Sequence, residues 1–196
     1  MTASQYSPKA RHFAGLLTVF DISKANFMTF HYDINRRWSD RFLPDIKRLI
    51  GSHLLSTAPD PLDQLHATDL LMLDARDMRI AARVRRPGYA LRYPHQFTIR
   101  SHVPSGAETE LSKIVNGYGD WMFYGHVSAS QTHIEHWRLI DLRAFRAALI
   151  RHANGGQQLV MGDQANPDGT WFKWFDIRSF PAAPPLVVAT SPYRGR

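Results

Sequence analysis

Residues 78–86, MRIAARVRR, alternate between apolar side chains and mostly basic ones. A repeat of two residues is typical of a β strand, because successive side chains of a strand point to opposite faces of the sheet. One face of this predicted strand carries Met78, Ile80, Ala82 and Val84. The other face carries Arg79, Ala81, Arg83 and Arg85. The stretch therefore predicts a strand that gathers arginines into a stripe.

Residues 96–101, QFTIRS, show the same alternation and predict a second strand. Side chains on the same face of two neighbouring strands form one continuous surface. If the two strands are neighbours, Arg83, Arg85 and Arg100 share such a surface. The connection between them contains Pro and Gly together with Tyr89 and Tyr93. These tyrosines can stack on bases if the ligand is single-stranded, and their plainer role is packing within a turn-rich loop.

Further strands and helices surround these two stretches. Apolar runs predict strands at residues 121–127, 134–140 and 170–178. Ser105 is followed by Glu108 at the spacing of a capping box, which predicts the start of a helix. Asp141 precedes an apolar stripe and predicts the cap of another helix. We expect a mixed α/β (α+β) fold, a single domain with a central mixed sheet flanked by helices.

The domain boundaries follow from composition. The chain has 196 residues, which fits one domain. We expect residues 1–12 to form a flexible basic arm, because they are polar and basic. We expect residues 13–180 to form the single domain. Residues 181–196, PAAPPLVVATSPYRGR, predict a Pro-rich irregular tail.

Composition also restricts the class of protein. The chain has no Cys, which removes disulfides, thiol nucleophiles and Cys-based metal sites. The N-terminal stretch MTASQYSPKA has no apolar segment typical of a signal peptide. Apolar runs stay well below the ~18 residues of a membrane span. We expect a cytoplasmic protein with no membrane association.

The charge is strongly basic and is carried by arginine. The 24 Lys and Arg exceed the 17 Asp and Glu, for a formal net charge of +7, and 19 of these cations are Arg. The densest basic stretch runs from Arg76 to Arg100 and is interleaved with aromatic residues. Arginine matches the geometry of phosphate and of base edges, so this pattern predicts a nucleic-acid surface. A GC-rich genome that encodes Arg in place of Lys produces the same bias.

Candidate metal-binding residues are few. The chain has 14 Asp but only three Glu, and a metal-dependent phosphodiesterase needs at least two carboxylates that converge on a cation. Asp69 is the best first candidate, because it heads the apolar run 68–73, TDLLML, where a carboxylate contributes little to packing. The alternative is that Asp69 ends a loop or caps a neighbouring helix.

The order of these elements resembles the PD-(D/E)XK nuclease-like superfamily, most closely its uncharacterised phage and bacterial members. The resemblance covers residues 38–150: Asp69 at the head of TDLLML, the basic strand, FTIRS, the helical stretch ETELSKI and the strand DWMFYG. It implies a restriction-endonuclease-like fold that uses Mg²⁺ or Mn²⁺ to hydrolyse phosphodiesters. Asp69 matches the first acidic position of the family motif, whereas Ala81 or Ala82 stands at the second.

The superfamily can carry its second acid on the neighbouring helix, where this chain has Glu108, Glu110 and Lys113. The resemblance then implies that Asp69 and Glu110 hold the metal, while Lys113 or Arg83 steadies the phosphate. Two plainer roles stay open. Glu108 can cap the helix, and Glu110 can form an exposed ion pair with Lys113 three residues away.

Two functional hypotheses share the arginines. The first is a Mg-dependent endonuclease that cleaves DNA or RNA and has Asp69, Glu110 and Lys113 as catalytic residues. The second is a catalytically inert binding module, such as a phage or mobile-element accessory or inhibitor protein that acts on nucleic acid, DNA more than RNA, or on a nucleoprotein partner. The residues predicted to bind phosphate are Arg83, Arg85, Arg86, Arg92 and Arg100. A third hypothesis is a protein-interaction domain in which the arginine content is incidental.

Overall fold

The computed structural model describes residues 33–57, 70–72 and 78–191. The candidate site residues of the described structure all lie within the compact unit 39–196. Asp69, Arg76 and the predicted basic arm at 1–12 lie outside the described residues. Within the described ranges, no helix combines the length and the apolar character needed to cross a membrane.

The described elements are mixed α and β, as the sequence predicted. The helices are α1 (33–40), α2 (Leu43–Leu54), α3 (Tyr89–Arg92), α4 (Glu110–Val115) and α5 (Leu142–Ala153), with a 3₁₀ turn at Ile177–Ser179. The strands are β1 (Leu55–Thr57), β2 (Leu70–Met72), β3 (Ile80–Arg85), β4 (Gln96–His102), β5 (Trp121–Val127), β6 (Ile134–Asp141), β7 (Met161–Ala165), β8 (Trp171–Asp176) and β9 (Val187–Thr190).

The described strands form three separate sheets rather than the one central sheet that the sequence predicted. A four-stranded sheet has the order β3-β5-β6-β9, a three-stranded sheet has the order β4-β8-β7, and β1 pairs with β2. β3 is parallel to β5, and the other described pairs are antiparallel. The two basic strands β3 and β4 are therefore not neighbours. Strand pairing depends on contacts between distant segments, which a local alternation of side chains does not encode.

The core is built on aromatic side chains from three elements. Phe97 of β4 stacks on Phe175 of β8, with ring centroids 5.2 Å apart. Phe145 of α5 meets Phe175 edge to face at 5.0 Å. All three side chains are fully buried, together with Met122 and Ile140 of the four-stranded sheet. Phe97 and its partners therefore bring both larger sheets and α5 around one hydrophobic core.

The helix caps confirm one prediction and correct another. Asp141 caps α5, because its Oδ1 accepts the backbone N–H groups of Arg143 and Ala144 at 2.7 and 3.0 Å. The helix predicted to open at Ser105 begins instead at Glu110, and Thr109 is its cap. Gly106 has a φ of +71°, which breaks the helical path between Ser105 and Thr109.

The C-terminal segment contains a strand that the sequence analysis assigned to an irregular tail. β9 pairs antiparallel with β6 and forms one edge of the four-stranded sheet. Leu186, just before the strand, is buried in the core. The proline-rich residues 181–185 lead into β9, and the packing that the Pro content obscured comes mainly from Leu186, since Val188 is exposed.

Candidate nucleic-acid interface

Strand register places six polar side chains on one face of the four-stranded sheet. Residues directly opposite each other on paired strands have side chains on the same face. The six form two rows across β3, β5 and β6: the first row is Arg83, Tyr124 and Arg138, and the second row is Arg85, His126 and His136. We call these six residues the basic face.

The basic face adjoins the hydrophobic core, and Tyr124 belongs to both. The row before it on the same strands consists of Ala81, Met122 and Ile140, which are apolar. Met122 and Ile140 are fully buried, and Ala81 packs against the core. The arginines of β3 thus lie on the core side of the strand, and Arg83 and Arg85 are half-buried rather than fully exposed. The predicted arginine stripe exists, but much of it is covered.

Glu110 is the carboxylate that meets this face. Its Oε2 lies 2.6 Å from Nη1 of Arg83 and accepts the backbone N–H of Arg100 at 3.1 Å. The side chains of Arg83 and Glu110 are only 17% and 26% exposed, so the pair is largely shielded from water. Since β3 and β4 lie in different sheets, Glu110 connects two strands that do not pair with each other.

Arg85 joins the basic face to aromatic rings. Its guanidinium carbon lies 4.4 Å from the centroid of Tyr89 and 5.8 Å from the centroid of Phe172. Both distances fit cation–π contacts. Burial lowers the pKa of Arg85, and its Nε is buried with no hydrogen-bond partner among the described residues. The guanidinium is thus held by ring faces while part of its donor capacity is unused.

Arg138 and Tyr124 complete the first row. Arg138 Nη2 donates to the backbone carbonyl of Pro94, in the turn that precedes β4. Burial also lowers the pKa of Arg138. The hydroxyl of Tyr124 and Oγ1 of the buried Thr98 are 3.3 Å apart and share a hydrogen bond. These contacts fix the positions of both side chains relative to β4.

His126 occupies the centre of the second row. Its side chain is 3% exposed, and neither ring nitrogen has a hydrogen-bond partner within the described part of the chain. Burial, followed by the positive charges of Arg138 and Arg85 and the neighbouring His136, lowers the pKa of His126 to about 4. The imidazole is therefore neutral at pH 7.

An exposed turn adjoins the basic face. Residues 86–95, which we call the tyrosine turn, include the short helix α3 and contain Gly88, whose φ is +86°. The rings of Tyr89 and Tyr93 lie 6.2 Å apart, and the guanidinium carbon of Arg92 lies 5.3 Å from the centroid of Tyr93. Arg86 and Arg92 are exposed. The turn thus presents cations and ring faces together.

The predicted metal-binding and catalytic residues are not brought together by the described structure. Asp69 lies outside the described residues. Glu110 opens α4 and faces Arg83, not the predicted ion partner Lys113, which is exposed in the last turn of that helix. Glu108 accepts a hydrogen bond from the side chain of Asn116 and does not form the predicted capping box.

The implied metal has no fitting site among the described side chains. Glu110 Oε2 is engaged by a guanidinium and a backbone N–H. In the described ranges, no three His, Asp or Glu side chains are grouped as metal ligands would be. Asp69, the other predicted ligand, lies outside the described residues, so the metal site that the resemblance implies stays a prediction.

The five predicted phosphate-binding arginines fall into two groups. Arg83 and Arg85 lie on the basic face, and Arg86 and Arg92 lie on the tyrosine turn. Arg100 is half-buried on β4, and its backbone meets Glu110. The surface that the sequence predicted for Arg83, Arg85 and Arg100 required β3 and β4 to be neighbours, and these strands lie in different sheets.

Sequence reasoning missed four members of the basic face: Tyr124, His126, His136 and Arg138. The strand WMFYGHV carries Met122, Tyr124 and His126 at a spacing of two, so its alternation could have shown that His126 shares a face with Tyr124. What aligns these residues with the arginines is the register of β3, β5 and β6, which has no local sequence signal. No known family model, curated protein or solved structure matches this chain.

Proposed function

We propose that this chain binds nucleic acid through the basic face and the tyrosine turn. The observation that carries the proposal is the convergence of Arg83, Arg85 and Arg138 at one end of a sheet, with exposed arginines and two tyrosines beside them. Arginine donors on a rigid strand suit phosphate oxygens, and tyrosine rings at a surface suit unpaired bases. The proposed ligand is therefore a nucleic acid with some single-stranded character.

The proposal includes a restriction-endonuclease-like origin for the fold. Its support is the chain order β2, β3, β4, α4 and β5 alone, since β2, β3 and β4 lie in three different sheets rather than in one. Of the two hypotheses from sequence, the contacts favour the inert binding module. Glu110 is neutralised by Arg83 at 2.6 Å, which suits a carboxylate that positions a cation better than one that awaits a metal.

The test is a titration of the full chain by fluorescence anisotropy. Labelled single- and double-stranded DNA and RNA are compared over a range of salt, each with Mg²⁺ and with EDTA. Each phosphate contact contributes roughly 0.7 to 0.9 to the slope of log affinity against log salt. We expect single strands to bind with a steep slope and to remain intact in both conditions.

A matched pair of double variants locates the surface. Arg86→Gln with Arg92→Gln removes two cations from the tyrosine turn, and we expect the salt slope to fall by about 1 to 2 with a loss of roughly tenfold or more in affinity. Arg48→Gln with Arg151→Gln removes the same charge from exposed sites on α2 and α5. This control should change affinity less than about twofold if the tyrosine turn is the interface and the net charge of the protein contributes little to affinity.

Two results would overturn the proposal. Absence of binding to every polymer at low salt removes nucleic acid as the ligand and favours a protein-interaction domain. Mg-dependent cleavage that Asp69→Ala abolishes, with binding retained, replaces the inert module with the endonuclease.

A further inference from the structure

His126 is a buried polar side chain whose hydrogen-bonding capacity is unused. It is only 3% exposed, and both ring nitrogens lack a partner among the described residues. A buried polar group without a partner costs about 1–3 kcal/mol, so folded proteins rarely retain one without a reason. The rings of His126 and Tyr124 are arranged edge to face, with centroids 5.3 Å apart, which orients the imidazole within the basic face.

The same surroundings hold further unused donors. Nε of Arg83 and Nε of Arg85 are also buried without a partner in the described ranges. Arg85 lies directly opposite His126 across the parallel pair β3 and β5. The unpartnered buried nitrogens found among the described side chains thus all belong to three residues of two adjacent strands.

The charges that act on His126 have a single sign. From β3 it meets Arg85, and from β6 it meets Arg138 and His136, while Tyr124 precedes it on its own strand. No carboxylate of the described chain is among the groups that shift it. Glu110, the acid described for this face, pairs with Arg83 in the other row. The environment therefore offers several donors and positive charge, with no carboxylate among the described groups that shift the pKa of His126.

An oxyanion fits this environment. Its oxygens accept from guanidinium and imidazole nitrogens, and its negative charge offsets the two arginines. We propose that Arg85, His126 and Arg138 bind a phosphate-type oxyanion, and that His126 takes up a proton from solvent as the anion binds. This inference rests on the proposed function, because it assigns the basic face to a phosphate group of the nucleic acid.

The proton uptake has a physical cause. Burial and neighbouring cations keep the imidazole neutral, since the pKa of His126 is lowered to about 4. A bound anion cancels the repulsion from Arg85 and Arg138 and gives the imidazolium an acceptor. The pKa of His126 in the complex therefore rises toward its ordinary value of 6.5. By linkage, the anion binds more tightly as pH falls from about 6.5 to about 4.

The first experiment uses sulfate and the unaltered full chain. Sulfate is chosen because it keeps its charge between about pH 4 and 8, whereas phosphate titrates near pH 6. The side-chain NMR signals of His126 are followed against pH with sulfate and with chloride at equal ionic strength. We expect the pKa of His126 to rise with sulfate only, and sulfate affinity to be about tenfold higher at pH 5 than at pH 7.5.

A matched pair of variants assigns the effect to this side chain. His126→Gln keeps a hydrogen-bonding group but cannot become an imidazolium, so the pH dependence of sulfate affinity should disappear. His102→Gln changes an exposed histidine of β4 and should leave that dependence intact. If His126→Gln does not fold, the NMR titration of the unaltered chain still decides the question.

The source of the oxyanion is resolved by oligonucleotides. A single strand with a 5′-phosphate is compared with the same strand ending in a 5′-hydroxyl. A response of His126 to the phosphorylated strand alone supports a terminal phosphate, and an equal response to both supports an internal phosphodiester. A response to sulfate without binding of either strand supports the oxyanion site and overturns the proposed function.

Salt-dependent nucleic-acid binding with no response of His126 to sulfate or to either strand overturns this inference. Such a result leaves the proposed function in place. If the chain does not bind nucleic acid and His126 does not respond to sulfate, both proposals are overturned.

Discussion

Glu110 and Arg83 form a largely shielded ion pair that joins α4 to the edge strand β3. The two atoms Oε2 and Nη1 lie 2.6 Å apart, and the same Oε2 accepts the backbone N–H of Arg100. One carboxylate oxygen thus connects a helix with strands of two different sheets. Resemblance to a nuclease implied that Glu110 holds a metal, whereas its contacts are those of a residue that positions an arginine.

The first prediction concerns the stability that this pair contributes. Glu110→Gln leaves the half-buried Arg83 without its counter-charge, so we expect unfolding free energy to fall by about 1–3 kcal/mol. Arg83→Gln should have a similar effect, and the double variant should cost less than the sum of the two. The measurement is urea unfolding of all four proteins. The more exposed ion pair Lys173 and Asp163 is the control. Loss of either partner should lower the free energy of unfolding by only about 0–1 kcal/mol.

The second prediction concerns the role of Glu110 in binding. Since Glu110 neutralises one cation of the basic face, Glu110→Gln should strengthen nucleic-acid binding by roughly threefold to tenfold, which corresponds to about 1 kcal/mol. Asp163→Asn, which removes a carboxylate from an exposed position on β7, should change affinity less than about twofold. Anisotropy titrations of the three proteins give the answer. Weaker binding by Glu110→Gln contradicts this prediction and shows that the positioning of Arg83 by Glu110 outweighs the neutralisation of its charge.

The third prediction follows from the lowered pKa of His126. The unfolded chain binds a proton near pH 6.5, whereas the folded chain does so only near pH 4. The contribution of the neutral imidazole to the free energy of unfolding is therefore fully present above pH 6.5. It is lost as the pH falls toward 4, by about 3 kcal/mol in total. Hydrogen bonds from Arg79 and Arg178 lower the pKa values of Asp120 and Asp176. Protonation of these carboxylates therefore destabilises the fold only at more acidic pH.

Urea unfolding at a series of pH values measures this loss. The unaltered chain should lose stability between pH 6.5 and 4, and His126→Gln should be nearly flat over that interval. A flat profile for the unaltered chain above pH 4.5 shows that His126 is not held neutral by its surroundings.

The fourth prediction concerns a glycine that the three-stranded sheet requires. Gly162 of β7 lies opposite Trp174 of β8, and a Cβ atom on Gly162 would lie 2.7 Å from Cζ2 of the indole ring. Gly162→Ala should therefore lower unfolding free energy by about 1–3 kcal/mol. A methyl group on Gly51, inside α2, would meet no atom within 4 Å, so Gly51→Ala should raise it by roughly 0.5–1 kcal/mol. The measurement is thermal or urea unfolding. If both variants are less stable than the unaltered chain, or both are more stable, the prediction is wrong.

Local patterns predicted most individual elements. The alternation in residues 78–86 and 96–101 predicted strands β3 and β4, and the side chain of Asp141 marked the start of α5. These features depend on side chains within a few residues of one another, so they can be recognised in the chain itself. The helix start at Ser105 was wrong because the left-handed backbone at Gly106 interrupts the local signal.

The amino-acid pattern of β3 was sufficient to predict that arginines line one side of it, since a period of two follows from the backbone geometry of any strand. Which residues contact the arginine side of β3 depends on the fold of the whole chain. Register with β5 and β6 aligned His126 with Arg85 and Tyr124 with Arg138, and the packing of α4 brought Glu110 to Arg83. Such contacts join segments far apart in the chain and depend on how the core closes, which no single segment specifies.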